Sequence, residues 1–233
     1  MTQNSLTGDL LAIYDALHAA FGHQRWWPAE TPFETMIGAI LAQNVSWTNA
    51  AKAIVNLKSA DLLDPDRLTA ADTGDIARSI IPSRFYNQKA ERIREFSRIY
   101  IDEFQGDPAV MATVETGALR KRLLAVRGFG EETVDTILLY ACEKPIFVVD
   151  AYTRRIFSRY GLLPENPSYD RTQCLFADHL PRDAGLFNDY HAQIVMLGKT
   201  ACRKSPLCDR CPIRVVHDTL RCGTPSPAPH RNL

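Results

Sequence analysis

The sequence predicts an all-α protein. Apolar residues recur at the i, i+3, i+4, i+7 spacing of a helix face through most of the chain. The one β-like run, residues 146–149, is too short and too isolated to build a sheet, and we interpret it as a buried extended linker. Hydrophobic residues make up 45% of the 233 residues and charged residues 23%. These are ordinary values for a globular protein, so a folded helical chain is expected.

The first two helices are marked by their ends as well as by their apolar faces. The first stops at Gly22, a residue that suits a helix C-terminus, and its stripe consists of Leu10, Ile13, Tyr14, Leu17 and Phe21. The second begins at the capping box Thr31-Pro32-Phe33-Glu34, with a hydroxyl at the cap, proline at the first helical position and glutamate three residues after the threonine.

Further helical patterns follow along the chain. They cover residues 49–58, 88–104, 119–126, 131–142, 151–160 and 186–199. A proline-rich tail after Cys222 lacks such a pattern and is predicted to be disordered. No apolar stretch approaches the length of a membrane span, so a soluble, cytoplasmic protein is expected.

Residues 123–134 have the pattern of a helix, a Gly-x-Gly turn and a second helix. The two glycines permit positive φ and a close approach of another molecule, and the N-terminus of the second helix offers unpaired N–H groups to an anion such as phosphate. The alternative is an ordinary helix–helix turn. Glu131 and Glu132 favour that alternative, because carboxylates repel a phosphate unless they point away from it.

Asp150 follows the apolar run and precedes a helical segment. Considered alone, such an aspartate is a helix N-cap. The alternative is catalytic: an ionised carboxylate at a helix start could stabilise the oxocarbenium-like charge that develops on a sugar as its bond to a base breaks, and could orient the attacking water. The pattern leaves both interpretations open.

Four cysteines crowd the C-terminal part of the chain. They are Cys202, Cys208, Cys211 and Cys222, in the pattern Cys-x5-Cys-x2-Cys-x10-Cys. Four thiolates can hold either a [4Fe-4S] cluster or a structural zinc ion. Zinc sites usually draw on two closely spaced pairs and this chain has one, so the pattern favours iron–sulfur over zinc. The other two cysteines, Cys142 and Cys174, are expected to be buried thiols.

The overall charge balance by itself argues against a nucleic-acid partner. Lysine and arginine total 27 residues and aspartate and glutamate also total 27, so the formal net charge is zero. Local basic clusters near the hairpin, after Asp150 and around the cysteines weaken this objection. The simpler interpretation of each cluster is a solvated helix face.

Taken in order, the hairpin, Asp150 and the cysteine loop resemble the endonuclease III branch of the helix-hairpin-helix DNA glycosylases. The resemblance extends to Leu41-Ala42-Gln43-Asn44 and to residues 85–90. It implies two helical lobes with a cleft that binds double-stranded DNA and accepts a flipped, damaged base. It also implies that Asp150 is catalytic and that a [4Fe-4S] cluster is present, and a monomer is expected.

On this resemblance, a six-helix domain covers residues 29–144 and carries the helix-hairpin-helix at 119–142. A second domain combines residues 1–28 with 145–222, ends in the iron–sulfur loop 202–222 and is followed by the disordered tail 223–233. The implied DNA-contacting residues are Arg127, Gly128, Phe129, Gly130 and Lys199. An exposed helix end is the alternative for the lysine.

Two positions depart from the family pattern. Bifunctional members carry a lysine nucleophile two residues after the second hairpin glycine, where this chain has Glu132. Without that amine, Schiff-base chemistry and strand cleavage lose their usual agent, so a monofunctional glycosylase with water as nucleophile is expected. The last cysteine spacing is ten residues where the family usually has five, which makes Cys222 the least secure ligand.

Within the branch, the matching motifs are Trp26-Trp27-Pro28, Gln43-Asn44 followed by Trp47, and Gly130-Glu131-Glu132 followed by Ala141-Cys142. By these motifs the sequence most closely resembles the 3-methyladenine DNA glycosylases of endonuclease III type. An alkylated purine is flat, electron-poor and often cationic, so tryptophan and proline faces can hold it by stacking and cation–π attraction. The implied substrate-binding residues are Trp26, Trp27, Pro28, Gln43, Trp47 and Glu132. Core packing is the alternative for the tryptophans, and Gln43 is alternatively a wedge in the gap left by the flipped base or a solvent-facing residue.

Other functions remain open on the same pattern. A glycosylase for oxidised pyrimidines or mismatched bases would share the hairpin and Asp150. A catalytically silent iron–sulfur DNA-binding protein of the same fold is favoured by Glu132 and by the zero net charge.

Overall fold

The computed structural model describes residues 3–214 and residue 216, and this part of the chain is helical, with no strand. The predicted all-α class is confirmed. Within the described residues there are twelve α-helices and two short 3-10 helices, at Ile81–Ser83 and Cys208–Arg210. The α-helices are α1 (Gln3–Phe21), α2 (Pro32–Leu41), α3 (Trp47–Ser59), α4 (Pro65–Ala70), α5 (Thr73–Ser79), α6 (Tyr86–Phe104), α7 (Pro108–Thr113), α8 (Thr116–Leu124), α9 (Glu131–Tyr140), α10 (Ala151–Arg159), α11 (Tyr169–Ala177) and α12 (Ala184–Thr200).

Every helix that the apolar stripes predicted is present, with its ends shifted by a few residues. The capping box at α2 forms as expected, because Thr31 Oγ1 accepts a hydrogen bond from the Glu34 N–H at 3.1 Å. Four shorter helices, α4, α5, α7 and α11, were not predicted. Each begins at a polar side chain that accepts a hydrogen bond from a backbone N–H of the first turn. The sequence therefore contained an N-cap signal for each of these helices, although their apolar residues were too few to show a helical period.

The chain divides into two compact units. The hairpin unit comprises residues 25–148 and 183–187. The terminal unit takes its described residues from 3–24, from 149–182 and from 188 onward.

The largely aliphatic core of the hairpin unit includes a row of contacting aromatic rings on α2, α6 and the turn before α9. Phe33 stacks on Tyr100 with ring centroids 5.3 Å apart, and Phe96 contacts both Tyr100 and Phe129. Phe129 is therefore buried, although it lies in the hairpin turn. Its burial anchors the turn to the core.

The terminal unit packs α1, α10 and α11 around α12. The ring of Tyr190 contacts Tyr14, Phe157 and Phe176. The buried Asp189 carboxylate accepts a hydrogen bond from the Tyr14 hydroxyl at 3.0 Å, which ties α1 to α12. Burial and this carboxylate together raise the pKa of Tyr14 to about 12.

Residues 141–150 link α9 to α10 through a turn and then irregular structure, and Phe147, Val148 and Val149 within this segment are buried. The interpretation of the β-like run as a buried linker is confirmed. No helix in the described part of the chain is both long and apolar enough to cross a membrane.

Candidate functional site

The hairpin consists of α8, a turn at residues 125–130 and α9. Gly128 has φ +83°, a left-handed conformation that favours glycine, whereas Gly130 has φ −101° and extended backbone. Only the first of the two glycines therefore uses the conformational freedom that the sequence suggested for both. Gly130 is the N-cap of α9 and, having no side chain, makes no side-chain hydrogen bond to the first turn of that helix.

Arg120 on α8 forms ion pairs with carboxylates of α9 and so ties the two hairpin helices together. Arg120 Nε and Nη2 donate to the two carboxylate oxygens of Asp135 at 2.7 and 3.1 Å, and Asp135 is fully buried. Arg120 Nη2 also lies 3.4 Å from Glu131 Oε1. This draws one of the two first-turn carboxylates of α9 toward a guanidinium.

Gln43 connects the loop after α2 to the hairpin. Its Nε2 donates to the Gly128 carbonyl at 3.1 Å and to Thr133 Oγ1 at 2.9 Å, and its Oε1 accepts from Arg92 Nη1 at 2.8 Å. Gln43 is half-buried and holds the turn in place. In this structure it braces the hairpin, a contact that none of the three sequence-based interpretations included.

Lys89 holds the same loop in place through hydrogen bonds from its buried side chain. Its side chain is 1% exposed, and Nζ donates to the carbonyls of Leu41, Gln43 and Ser83 at 2.8, 2.9 and 2.7 Å. Burial, and to a lesser degree the nearby Arg92, lowers the pKa of Lys89 to about 8. The backbone that carries Gln43 is thus fixed by a buried ammonium group.

The three predicted tryptophans lie together in the hairpin unit. The centroid of the Trp47 ring is 4.8 Å from that of Trp26 and 4.7 Å from that of Trp27, both in edge-to-face contact, and Trp27 also contacts Tyr140. A base sandwiched between two rings needs about 7 Å between their planes, twice a van der Waals contact. The three indole rings thus pack directly against one another and leave no space between them for a base. Because they are half-buried, a base would stack on an outer face.

A small cavity of about 150 Å³ lies beside this cluster, lined in part by Trp27, Pro28 and Trp47. Glu34 and Lys58, which form an ion pair at 2.9 Å, also line it. Pro28 itself is exposed. Glu132 is also exposed, in the first turn of α9.

Asp150 begins α10 in the terminal unit. Its Oδ1 accepts hydrogen bonds from the Thr153 N–H at 2.7 Å and from Thr153 Oγ1 at 2.8 Å, so it is the N-cap of the helix. The residue is 8% exposed. Capping occupies Oδ1, while Oδ2 faces a different neighbour. The N-cap interpretation is observed, and it leaves one carboxylate oxygen for other contacts.

The neighbour of Oδ2 is His191 on α12, which the sequence analysis missed. His191 Nε2 lies 3.8 Å from Asp150 Oδ2, and the histidine is 6% exposed. Burial lowers the pKa of His191, and the Asp150 carboxylate partly opposes this effect. The only sequence signal was a histidine among the apolar residues of α12.

The cysteine loop also belongs to the terminal unit, and two arginines of α10 shape it. Arg155 donates to the carbonyls of Gly198 and Cys202, and Arg159 donates to the carbonyls of Arg203 and Lys204. Arg159 Nη1 also lies 3.5 Å from Cys202 Sγ. Lys199 is exposed in the last turn of α12, ahead of this loop.

The predicted metal ligands are cysteines, whose thiolates have the chemistry that an iron–sulfur cluster requires. Cys202, Cys208 and Cys211 are described, whereas Cys222 and the tail lie outside the described residues. Among the described residues, no three cysteine, histidine or carboxylate side chains form a group that could hold a metal ion. The [4Fe-4S] cluster therefore stays a prediction. Of the other two cysteines, Cys142 is buried as expected but Cys174 is exposed, because it lies on the outer face of α11.

The chain is similar to known base excision repair proteins. Residues 37–182 match the family model described as HhH-GPD superfamily base excision DNA repair protein. A protein of Methanocaldococcus jannaschii that carries the provisional name of a DNA repair glycosylase is 45% identical over 204 residues, which are 87% of this chain and 92% of the relative.

Two solved structures are also similar. The H. pylori 3-methyladenine DNA glycosylase bound to 1,N6-ethenoadenine has a TM-score of 0.68 and 28% identity, over 85% of this chain and 98% of its own. A non-covalent endonuclease III–DNA complex has a TM-score of 0.77 over 95% of this chain and 96% of its own, and at 20% identity it shows the fold alone. The resemblance predicted from the motifs is confirmed.

Proposed function

Because the chain belongs to the HhH-GPD superfamily of base excision DNA repair proteins, a family of DNA glycosylases, we propose that it is a monofunctional glycosylase that removes alkylated, 3-methyladenine-type bases from double-stranded DNA. The observation that carries this proposal is the Asp150 carboxylate, which is fixed through Oδ1 by Thr153 and keeps Oδ2 for other contacts. The similarity to a 3-methyladenine DNA glycosylase supports the substrate class.

In the proposed reaction, the bond between the sugar C1′ and the base nitrogen breaks, and its electron pair leaves with the base. The ionised Asp150 stabilises the positive charge that develops on the sugar. A water oxygen then bonds to C1′ and releases a proton, which the carboxylate helps to remove. The products are the free base and an abasic site with an uncut strand. A cationic alkylated base leaves readily, so modest assistance is enough.

The hairpin is the proposed contact with the DNA backbone. The exposed backbone at Gly128 and Gly130 and the first-turn N–H groups of α9 suit a phosphate, and Arg127 is exposed beside them. Phe129 takes part only through its backbone, because its ring is buried. The approach of Glu131 to Arg120 reduces the repulsion that the acidic first turn would otherwise exert. Lys199 is the proposed contact from the terminal unit.

Glu132 supports the assignment as a monofunctional enzyme. It is exposed in the first turn of α9, and a carboxylate cannot form a Schiff base with the abasic sugar. Borohydride should therefore trap no covalent complex between the wild-type protein and DNA. The Glu132→Lys variant should give a trapped complex, and efficient trapping of the wild-type protein would contradict the proposal.

The substrate is tested with a panel of duplex oligonucleotides, each with one lesion: an alkylated purine, an oxidised pyrimidine or a G:T mismatch. Release of the alkylated base, with strand breaks seen only after alkaline treatment, is the expected result. Release of another lesion alone would exclude the proposed substrate class. No release from any lesion would favour a DNA-binding protein without glycosylase activity.

The role of Asp150 is tested by Asp150→Asn. Asparagine is as good an N-cap as aspartate, so the helix is kept while the charge is removed. We expect the single-turnover rate of base release to fall by at least about 100-fold, the scale of one electrostatic contact to a transition state. Asp170→Asn, at an exposed position on α11 of the same unit, is the matched control and should leave the rate unchanged. Full activity of Asp150→Asn would overturn the assignment.

A further inference from the structure

His191 and Asp150 face each other inside the terminal unit. His191 lies on α12 and Asp150 caps α10, and the distance from Nε2 to Oδ2 is 3.8 Å. Both residues are buried. Oδ1 of the carboxylate is held by the two Thr153 donors, so the histidine lies on the side of the other oxygen.

We propose that His191 is a positioning residue for base release: its imidazole restrains Oδ2 and thereby sets the orientation of the Asp150 carboxylate. This inference rests on the proposed function, in which that carboxylate faces the reacting sugar.

The geometry explains why a second restraint is needed. Both Thr153 donors bond to the same oxygen, Oδ1. The carboxyl group is thus held through one oxygen only, and rotation about its Cβ–Cγ bond, which moves both oxygens together, is resisted from that side alone. A donor on the side of Oδ2 resists the same rotation from the other side. The 3.8 Å separation is longer than a hydrogen bond, and a shift of less than about 1 Å closes it, as catalytic contacts commonly do once substrate is bound.

The charge state of the histidine suits this role. Burial lowers its pKa, so the imidazole is neutral near pH 7, and a neutral imidazole has one N–H donor. A neutral donor orients the carboxylate without cancelling the negative charge that the reaction needs. The proposal requires the tautomer that carries its proton on Nε2.

The test compares two substitutions at residue 191. His191→Phe keeps a ring but removes the nitrogen, and His191→Gln places an amide donor near the position of Nε2. We expect His191→Phe to slow single-turnover base release by about 10- to 100-fold, because misplacement of a catalytic group by about 1 Å has a cost on this scale. His191→Gln should restore most of the rate. Affinity for duplex DNA with a tetrahydrofuran abasic-site analogue should be unchanged in both variants.

A double-mutant cycle separates positioning from general stability. If His191 acts through the carboxylate, His191→Phe should have no further effect on the residual rate of Asp150→Asn. Independent effects that multiply would overturn the proposal, as would a His191→Phe rate equal to that of the wild-type protein. If His191→Phe is unfolded at the assay temperature, the cycle is run with His191→Leu, whose smaller side chain fits the same space, and the same result is expected. A wild-type protein that releases no base would refute the proposed function itself.

Discussion

The guanidinium of Arg92 occupies the space into which a side chain at residue 128 would point. A Cβ atom on Gly128 would lie 2.5 Å from Arg92 Cζ, and the backbone there has φ +83°. Gly128→Ala must therefore both strain the backbone and displace Arg92 from Gln43. We expect the free energy of unfolding, measured with urea, to fall by about 1–3 kcal/mol, and the affinity for DNA to fall as the turn loses its brace.

Gly130→Ala is the matched control for this substitution. It lies two residues away in the same turn, has a negative φ, and a Cβ there would meet no atom within 4 Å. The decrease in the free energy of unfolding caused by Gly130→Ala should be well below that caused by Gly128→Ala. Equal losses for the two variants would show that the contact with Arg92 does not hold the turn.

Lys89→Met tests the buried ammonium under the Gln43 loop. Methionine fills a similar volume but leaves the carbonyls of Leu41, Gln43 and Ser83 without their donor. Each unsatisfied buried acceptor costs about 1–3 kcal/mol, and removal of a buried charge offsets part of this loss. The net expectation is a decrease of about 3 kcal/mol in the free energy of unfolding. An equally or more stable variant would mean that burial of the charge outweighs the three hydrogen bonds.

Stability should fall as the pH is lowered through the ordinary pKa of histidine, 6.5, because the pKa of His191 is lowered by burial. Above that pH the imidazole is neutral in both the folded and the unfolded chain. Below it, the unfolded chain binds a proton that the folded chain binds only at lower pH, so the unfolded state is favoured. The free energy of unfolding should drop by up to about 1.4 kcal/mol per pH unit from this one group.

The measurement is a series of urea titrations between about pH 5 and pH 7.5, the range around the histidine pKa, for the wild-type protein and for His191→Gln. The difference between the two curves isolates this residue from the other histidines. A difference that does not change with pH would contradict the assignment of a lowered pKa to His191.

Iron content tests the cysteine loop. The predicted [4Fe-4S] cluster would give the purified protein a brown colour and a broad visible absorbance, whereas zinc is colourless. Cys202→Ser should lose the colour, and Cys174→Ser, at an exposed position on α11, should keep it. A purified protein with neither iron nor zinc would contradict the predicted metal site. The loop would then be held by the hydrogen bonds from Arg155 and Arg159.

Local patterns predicted the long helices and several site positions. The capping box at Thr31, the hairpin and the helix start at Asp150 all depend on residues close together in sequence, and all three formed. Helices of six or seven residues such as α4 and α5 were missed, because they offer too few apolar positions for a periodic stripe.

Contacts between residues far apart in the chain could not be predicted in the same way. Gln43, Arg92 and Gly128 meet only because α2, α6 and the hairpin pack around one aromatic core. His191 reaches Asp150 from a helix that begins more than thirty residues later. The tryptophans were predicted as pocket walls, and their mutual packing depends on the approach of α3 to the segment before α2.

Helix α10 has nine residues and is about 14 Å long, and Asp150 is its N-cap. The Arg155 side chain, at the middle of the helix, and the Arg159 side chain, at its other end, donate to the peptide carbonyls of residues 198 and 202–204. Because these hydrogen bonds join the helix to the cysteine loop, a movement of the loop should also move the helix. Oxidation of a thiol in the loop, or another change in its conformation, is therefore expected to shift the Asp150 carboxylate at the start of α10.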